Sequence, residues 1–476
     1  MDAEKFIIGN ELVSSPETKD IINPYTNQVV RKVYKSSKQD INRALDYLTG
    51  IFPRYRDTPT YIKASLLEGI SKKISERRED LAMLITLETG KPIRFSRIEI
   101  DRAILTFKLG SEESKRIEGE VLDLDLLKGS EGKMGIVKRF PLGVILAITP
   151  WNFPINLVAH KLSPALASGN TILLKPASTS MTCGIELVKI IKEASAELGL
   201  DYCPVNVVTA SGGEINEFLD DSRVKLISFT GSSSVGWGIR KKAVKQKVSL
   251  ELGGNAGVIV DKDADIPTAV TKIITGAFGQ AGQSCISVQR VFVHNDIMDS
   301  FRSKLLEETA KIKFGDPFDE NTLSGPMIEQ KEAERIQEWV NEAKDSGANI
   351  SAGGNRDGAV FEPTIVEKAS PDLKINADEV FAPLLTLTGF SDFKEAVKMV
   401  GDSEYGLQAG AFTNDLNNAL YAFDNIEVGG VVINDVPTYR MDSMPYGGSK
   451  DSGNAREGIK YAIEEMTERR ILVLSK

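Results

Sequence analysis

Between residues 142 and 260 the chain alternates two kinds of apolar segment. Short unbroken runs, Gly-Val-Ile-Leu-Ala-Ile-Thr (143–149), Thr-Ile-Leu-Leu (171–174), Val-Asn-Val-Val (205–208) and Val-Lys-Leu-Ile-Ser-Phe (224–229), are separated by helical stretches. Runs that are apolar throughout, and not only at every second residue, mark strands buried on both faces, the habit of a parallel sheet. The alternation predicts a Rossmann-like, doubly wound α/β unit. It resumes after 256 with Ala-Gly-Val-Ile-Val, a helix near 265–281 and a strand over 287–294, predicting a second α/β unit. Upstream, 60–88 (Ile62, Leu66, Leu67, Ile70, Ile74, then Leu81, Leu84, Ile85) and 97–117 carry amphipathic helical spacing and are expected to be surface helices on a sheet. Two segments fit neither unit: 120–141, acidic then basic, and Arg-Arg-Ile-Leu-Val-Leu (469–474). A chain end rich in β-formers needs a partner strand.

Length and composition narrow the class. At 476 residues the chain is too long for one ordinary core, so two or three domains are expected. No apolar run reaches the roughly 18 residues of a membrane span, and Met-Asp-Ala-Glu-Lys lacks a signal peptide's apolar core; a soluble, cytoplasmic protein is expected. A net charge of −9, with bases interspersed among acids, argues against nucleic acid as a partner. Three cysteines, at 183, 203 and 285, form no disulfide framework. The histidines are His160 and His294 alone, so no metal site is expected.

Candidate chemistry concentrates in a few short segments. Cys285 ends Gly-Gln-Ser-Cys (282–285), and Glu251 opens Glu-Leu-Gly-Gly-Asn (251–255). A thiol that can attack and a carboxylate that can activate water, each beside glycines where backbone crowding is low, suggest covalent catalysis. Asn152 lies in Pro-Trp-Asn-Phe-Pro (150–154), where flanking prolines stiffen a turn and an amide can be fixed to donate to an oxyanion. Phe-Thr-Gly-Ser-Ser-Ser-Val-Gly (229–236) follows a strand and opens a helix, whose free N–H groups can hold a pyrophosphate. Taken singly, each has a plainer reading: an inert cysteine, a solvated glutamate, a turn asparagine bonding its own backbone.

Together with Glu-Val-Phe-Ala-Pro (379–383), these motifs resemble the aldehyde dehydrogenase superfamily in residues, order and spacing, from about Asn23 to the last strand. Gly-Gln-Ser-Cys-Ile-Ser-Val-Gln-Arg and Val-Val-Ile-Asn-Asp (431–435) look most like its lactaldehyde and glyceraldehyde dehydrogenase branch. The resemblance implies a cofactor-binding domain over 1–119 and 142–253, a catalytic domain over 254–448, and a small β arm over 120–141 and 467–476 that makes a homodimer or homotetramer. It implies Cys285 as nucleophile, Glu251 as base, and Asn152 with the Cys285 N–H as oxyanion donors. It places Ile148, Trp151, Lys175, Ser178, Gly231, Ser232, Leu252, Glu379 and Phe381 at the cofactor. Asn156, His160, Ser284, Tyr439 and Arg440 are expected to line the aldehyde tunnel.

Departures from the family pattern are informative. NAD-preferring members usually carry a glutamate where this chain has Ser178; its absence beside Lys175 removes repulsion of a 2′-phosphate, so NADP is expected, with NAD as the alternative. Ala210, Gly257 and Asn454-Ala455-Arg456-Glu457 alter loop residues without removing a chemical group. A polar tunnel with one arginine, and serine in place of arginine directly before Cys285, points to a short unphosphorylated 2-hydroxyaldehyde, glyceraldehyde or lactaldehyde. The alternatives are a succinate-semialdehyde-type enzyme, then a CoA-acylating relative or an inactive structural one.

Overall fold

A computed structural model describes residues 2–475. Met1, the first residue of the expected cofactor domain, and Lys476, the last of the expected arm, lie outside the described residues. Two seven-stranded sheets dominate, each built from the apolar runs. In the first the order is Lys247–Glu251, Val224–Thr230, Val144–Ile148, Thr171–Lys175, Val205–Val207, all parallel, followed by the antiparallel edge strands Phe6–Ile8 and Glu11–Val13. Val144–Ile148 and Thr171–Lys175 are buried at every position, which is why their sequences do not alternate. The second sheet runs Asn349–Ala352, Thr364–Glu367, Leu384–Phe390, Val288–His294, Ala256–Val260, Gln408–Phe412, Gly430–Ile433, parallel except for its first pair. This is a mixed α/β architecture with two largely parallel sheets, as the alternation of apolar runs and helical stretches predicted.

The upstream amphipathic stretches form helices Thr60–Glu76, Arg78–Thr89 and Ile93–Ser114. They pack mainly on other helices and not on either seven-stranded sheet. Ile93–Ser114 packs on Thr60–Glu76 and on helix Asn156–Ser168, while Thr60–Glu76 also covers helix Met181–Glu197. They are an outer layer over helices that cover the sheet. Sandwiched in this way, all thirteen residues of Asn156–Ser168 are buried, His160 and Lys161 included.

The segments that fitted neither unit come together as a third, antiparallel sheet: Thr467–Ser475 pairs with Lys133–Pro141 along its whole length, and Glu120–Asp123 completes it. The β-rich chain end thus finds its partner strand within the same chain. Ile471, Leu472 and Val473 remain half exposed there. Among the described residues no helix is long and apolar enough to cross a membrane, and all three cysteines are free.

The chain crosses from the first sheet to the second over four residues, Leu252 to Asn255. Close packing makes Gly254 necessary, because a Cβ there would sit 2.1 Å from the Cys285 carbonyl oxygen. The segment before Cys285 is tighter still. Gln280, Ala281 and Gly282 are consecutively left-handed, with φ of 55°, 56° and 64°, a conformation that side chains with a Cβ rarely adopt. At Gly282 a Cβ would meet the Ala382 carbonyl oxygen at 2.1 Å. Gly199 shares the left-handed φ (73°) but has open space around it. Gly199→Ala is therefore expected to cost about 1 kcal/mol, the conformational penalty alone. Gly282→Ala should cost more than about 2 kcal/mol, since backbone must also move. Urea unfolding checks this; equal midpoint shifts in the two variants would contradict it.

Candidate active site

A cavity of about 590 Å³ opens between the two sheets, and Asn152, Glu251 and Cys285 all reach its wall. Two loops are fastened together there. The Asn152 amide donates to the Gln283 carbonyl at 3.0 Å, and the Gln280 amide donates to the Asn152 carbonyl at 2.8 Å. Gln283 is itself fixed by donating to the Pro326 carbonyl and accepting from the Ile328 N–H. The left-handed run at 280–282 turns the chain so that both glutamines face the Pro-Trp-Asn-Phe-Pro turn. One amide proton of Asn152 remains free, and among the described residues nothing accepts from the Cys285 N–H.

The Cys285 sulfur lies 3.1 Å from the Tyr446 hydroxyl. Burial pushes the thiol up to about 12, and the Tyr446 hydrogen bond works against that by favouring the thiolate. Cys203, also pushed by burial to about 12, bonds the Val205 carbonyl, and Cys183 is buried and likewise raised. Neither reaches the cavity.

Glu251 closes strand Lys247–Glu251, and its carbonyl accepts from the Gly231 N–H. Its two carboxyl oxygens are buried without a hydrogen-bond partner. Burial, then the neighbouring Glu457, holds this carboxyl well above the usual range. Gly447 makes room for it; a Cβ there would stand 2.7 Å from Glu251 Oε1. Cations exist nearby but serve Glu457. Arg440 Nη2 donates to Glu457 at 2.8 Å and Lys161 Nζ lies 3.5 Å from it. Burial alone would raise Glu457, but Lys161 and Arg440 outweigh it and keep this carboxylate below its ordinary range.

The residues expected at the cofactor follow the C-terminal edge of the first sheet, where ligands of doubly wound folds bind. Trp151, Gly231, Ser232, Leu252, Glu379 and Phe381 line the cavity. Ile148 and Lys175 end their strands outside its wall, and half-buried Ser178 lies just beyond. Ser232 is the N-cap of helix Ser233–Lys242. Glu379 accepts from the Gly254 N–H at 2.9 Å, and burial pushes its carboxyl up to about 7. Phe381 is left-handed (φ 52°) and stands edge-on to Trp151, ring centroids 5.8 Å apart. Burial first, and Lys19 second, depress Lys175 to about 8. No carboxylate among the described residues pairs with it.

The expected tunnel residues divide. Asn156, Ser284 and Arg440 reach the cavity. His160 does not: it lies behind the wall, 2.7 Å from Asp442 and 3.3 Å from Arg440, and burial followed by the Arg440 charge lowers its basicity. Tyr439 is half exposed and turned away from the cavity, its carbonyl accepting from Gln408. Asp442 gathers Arg102, His160 and Asn156 around itself, which holds the histidine behind the wall. Arg440 was expected to stand alone, but Arg102 also lines the cavity. Arg440 is moreover held by Glu457 and lies 3.7 Å over the Tyr446 ring. Sequence reasoning missed Arg102, Lys161, Tyr446 and Glu457. Of these, Glu457 lay in a motif already singled out, 454–457, and Arg102 in a stretch read only as a helix, 97–117.

Comparison with known proteins identifies the family. The model of the aldehyde dehydrogenase family matches residues 12–472. A 3-sulfolactaldehyde dehydrogenase of Priestia aryabhattai is 46% identical over 98% of this chain and 97% of its own. A lactaldehyde dehydrogenase of Methanococcus aeolicus is 39% identical over 96% and 97%. Among solved structures, aldehyde dehydrogenase 21 of Physcomitrella patens in complex with succinate superposes with a TM-score of 0.97 at 41% identity, covering 99% of this chain and 98% of that one. The glyceraldehyde-3-phosphate dehydrogenase GapN of Methanocaldococcus jannaschii, complexed with NADP, gives 0.93 at 39% identity, covering 97% and 100%. With the match running nearly end to end in sequence and in fold, the chain belongs to the aldehyde dehydrogenase family and is an NAD(P)-dependent aldehyde dehydrogenase.

Proposed function

We propose that this enzyme oxidises a short 2-hydroxyaldehyde to its acid through a thioester on Cys285, with NADP preferred over NAD. The observation that carries the reading is the meeting of Cys285, Asn152 and a dry, unpartnered Glu251 in one cavity. Cys285 reacts as the thiolate, its proton released to water; the sulfur adds to the aldehyde carbon, a C–S bond forms, and the charge passes from sulfur to the carbonyl oxygen. The free Asn152 amide proton and the unused Cys285 N–H are the donors for that oxyanion. Tyr446 steadies the thiolate by donating to sulfur. Bound nicotinamide supplies the hydride acceptor for the thiohemiacetal carbon. Cys285 then carries a thioester, and Glu251 removes a proton from the water that hydrolyses it. Because Lys161 and Arg440 bind Glu457 directly, burial and Glu457 raise Glu251 more than these two cations lower it, and it keeps the basicity that step needs.

The residues at the first sheet's edge suit a dinucleotide phosphate. Gly231 and Ser232 open a ten-residue helix whose N–H groups face the cleft. A lysine buried without a counter-charge gains by meeting an anion, and uncharged Ser178 beside Lys175 favours a 2′-phosphate there. Lys19, missed in the sequence, adds positive charge close by. We also read the third sheet as an assembly surface, since it keeps Ile471, Leu472 and Val473 half exposed.

For the aldehyde, polar Asn156, Ser284 and Arg440 on the wall favour a substrate with a hydroxyl beside the carbonyl. Lactaldehyde and 3-sulfolactaldehyde, the substrates in the names of two relatives, are both 2-hydroxyaldehydes. A second reading, an aldehyde with an anionic far end such as succinate semialdehyde, draws on Arg102 in the wall and on the neighbour crystallised with succinate. A panel of lactaldehyde, glyceraldehyde, 3-sulfolactaldehyde, succinate semialdehyde and propanal separates these. The 2-hydroxyaldehydes should exceed propanal in kcat/KM by at least about tenfold; a clear lead for succinate semialdehyde would favour the second reading, and a lead for propanal would defeat both.

Lys175 makes the cofactor preference pH-dependent. Its ammonium attracts the 2′-phosphate; the free protein keeps that charge below about pH 8 and loses it above. Affinity for NADP relative to NAD should therefore fall as pH rises from about 7 to about 9, by up to roughly tenfold. Lys175→Met should flatten the profile. Fluorescence titration at both pH values checks this, and a ratio already independent of pH in the unaltered enzyme would contradict it.

A further inference from the structure

The turn that carries Asn152 hangs from a buried ion pair. Lys91 and Glu99, the latter on helix Ile93–Ser114, have side chains almost wholly shielded from water and are bonded to each other through Lys91 Nζ and Glu99 Oε2. A buried pair is weak evidence of stability, because desolvating two charges offsets their attraction. What this pair touches is more informative. Glu99 Oε1 accepts from the N–H groups of Ile155 at 2.8 Å and Asn156 at 3.1 Å. These open helix Asn156–Ser168, whose N-cap residue, Ile155, has no side chain able to cap it. Glu99 does from a neighbouring helix what a local Ser or Asp ordinarily does, and its charge suits the positive end of that helix. Lys91 Nζ meanwhile sits 3.9 Å from the centroid of the Phe153 ring, a cation–π contact strengthened by the lack of water.

One pair therefore grips the chain at positions 153, 155 and 156, while Gln280 and Gln283 hold Asn152 from the other side. Thr106, a helical neighbour of Glu99 two turns on, extends the grip by donating to the Asn156 side chain at 3.2 Å. We propose that Lys91 and Glu99 are positioning residues for oxidation: they fix the Asn152 turn so that its amide meets the oxyanion, acting through the backbone and not on the substrate. This inference rests on the reading of Asn152 as an oxyanion donor.

The test is a double-mutant cycle read in the rate of the first NADPH burst at saturating aldehyde and cofactor. Lys91→Met with Glu99→Gln removes both charges and roughly keeps their volume, so the fold should survive. Burst rate should fall about 10- to 100-fold with little change in cofactor affinity. In an Asn152→Ala background the same pair of changes should cost almost nothing further, because the group they position is gone. A merely structural pair would lower the rate equally in both backgrounds. Additive losses, or a wild-type burst in the Lys91→Met/Glu99→Gln enzyme, would overturn the inference alone. A wild-type burst in Asn152→Ala would overturn the oxyanion reading and the inference with it. Should the double variant not fold, Glu99→Asp takes its place in the cycle, keeping the charge beside Lys91 but drawing the capping oxygens back, with the same outcomes decisive.

Discussion

A carboxyl group with both oxygens dry and no donor within reach is a costly thing to fold around, and Glu251 is such a group. Burial and the neighbouring Glu457 hold this carboxyl well above the usual range, which lessens the cost of burying it, while the ionic charge of the region is settled elsewhere. Arg440 and Lys161 meet Glu457; Arg102 meets Asp442. Each cation therefore has an anion that is not Glu251. Had Lys161 or Arg440 paired with Glu251 instead, its basicity would have dropped and thioester hydrolysis would have lost its base.

That charge arrangement depends on helix Asn156–Ser168 being buried along its whole length. Only such a helix can carry Lys161 and His160 into the interior behind the cavity, and it can be so deep only because an outer helix layer covers it. The outer layer contributes more than cover, since Glu99, Arg102 and Thr106 lie on one face of Ile93–Ser114 and each bonds the inner helix or its Asp442 anchor. Packing, charge balance and the placing of Asn152 are thus consequences of one helix–helix contact.

The strands were legible in the sequence because a short run that is apolar at every position, bounded by turn residues, fits a strand covered on both faces and little else. The motif residues were legible because glycines and prolines mark places where backbone must turn or approach closely. Gly254 and Gly282 show why: a Cβ at either would stand 2.1 Å from a carbonyl oxygen. Layering was not legible, since amphipathic spacing tells which face of a helix is buried but not whether a sheet or another helix lies beneath it. The tunnel was read only in part. His160 and Tyr439 sat at positions expected to face it, but Asp442, 282 residues away in sequence from His160, drew the histidine behind the wall. Arg102, Tyr446 and Glu457 come from distant segments that only the folded chain brings together, and nothing local distinguishes them from solvated residues.

If Cys285 carries the acyl group and Glu251 releases it, blocking the release should leave the acyl group on the sulfur. The most direct test is mass spectrometry of Glu251→Gln after mixing with lactaldehyde and NADP and quenching in acid. One acyl adduct per chain, mapped to the peptide containing Cys285 and persisting after the aldehyde is consumed, is the expected result. No adduct, or an adduct on Cys183 or Cys203, would contradict it.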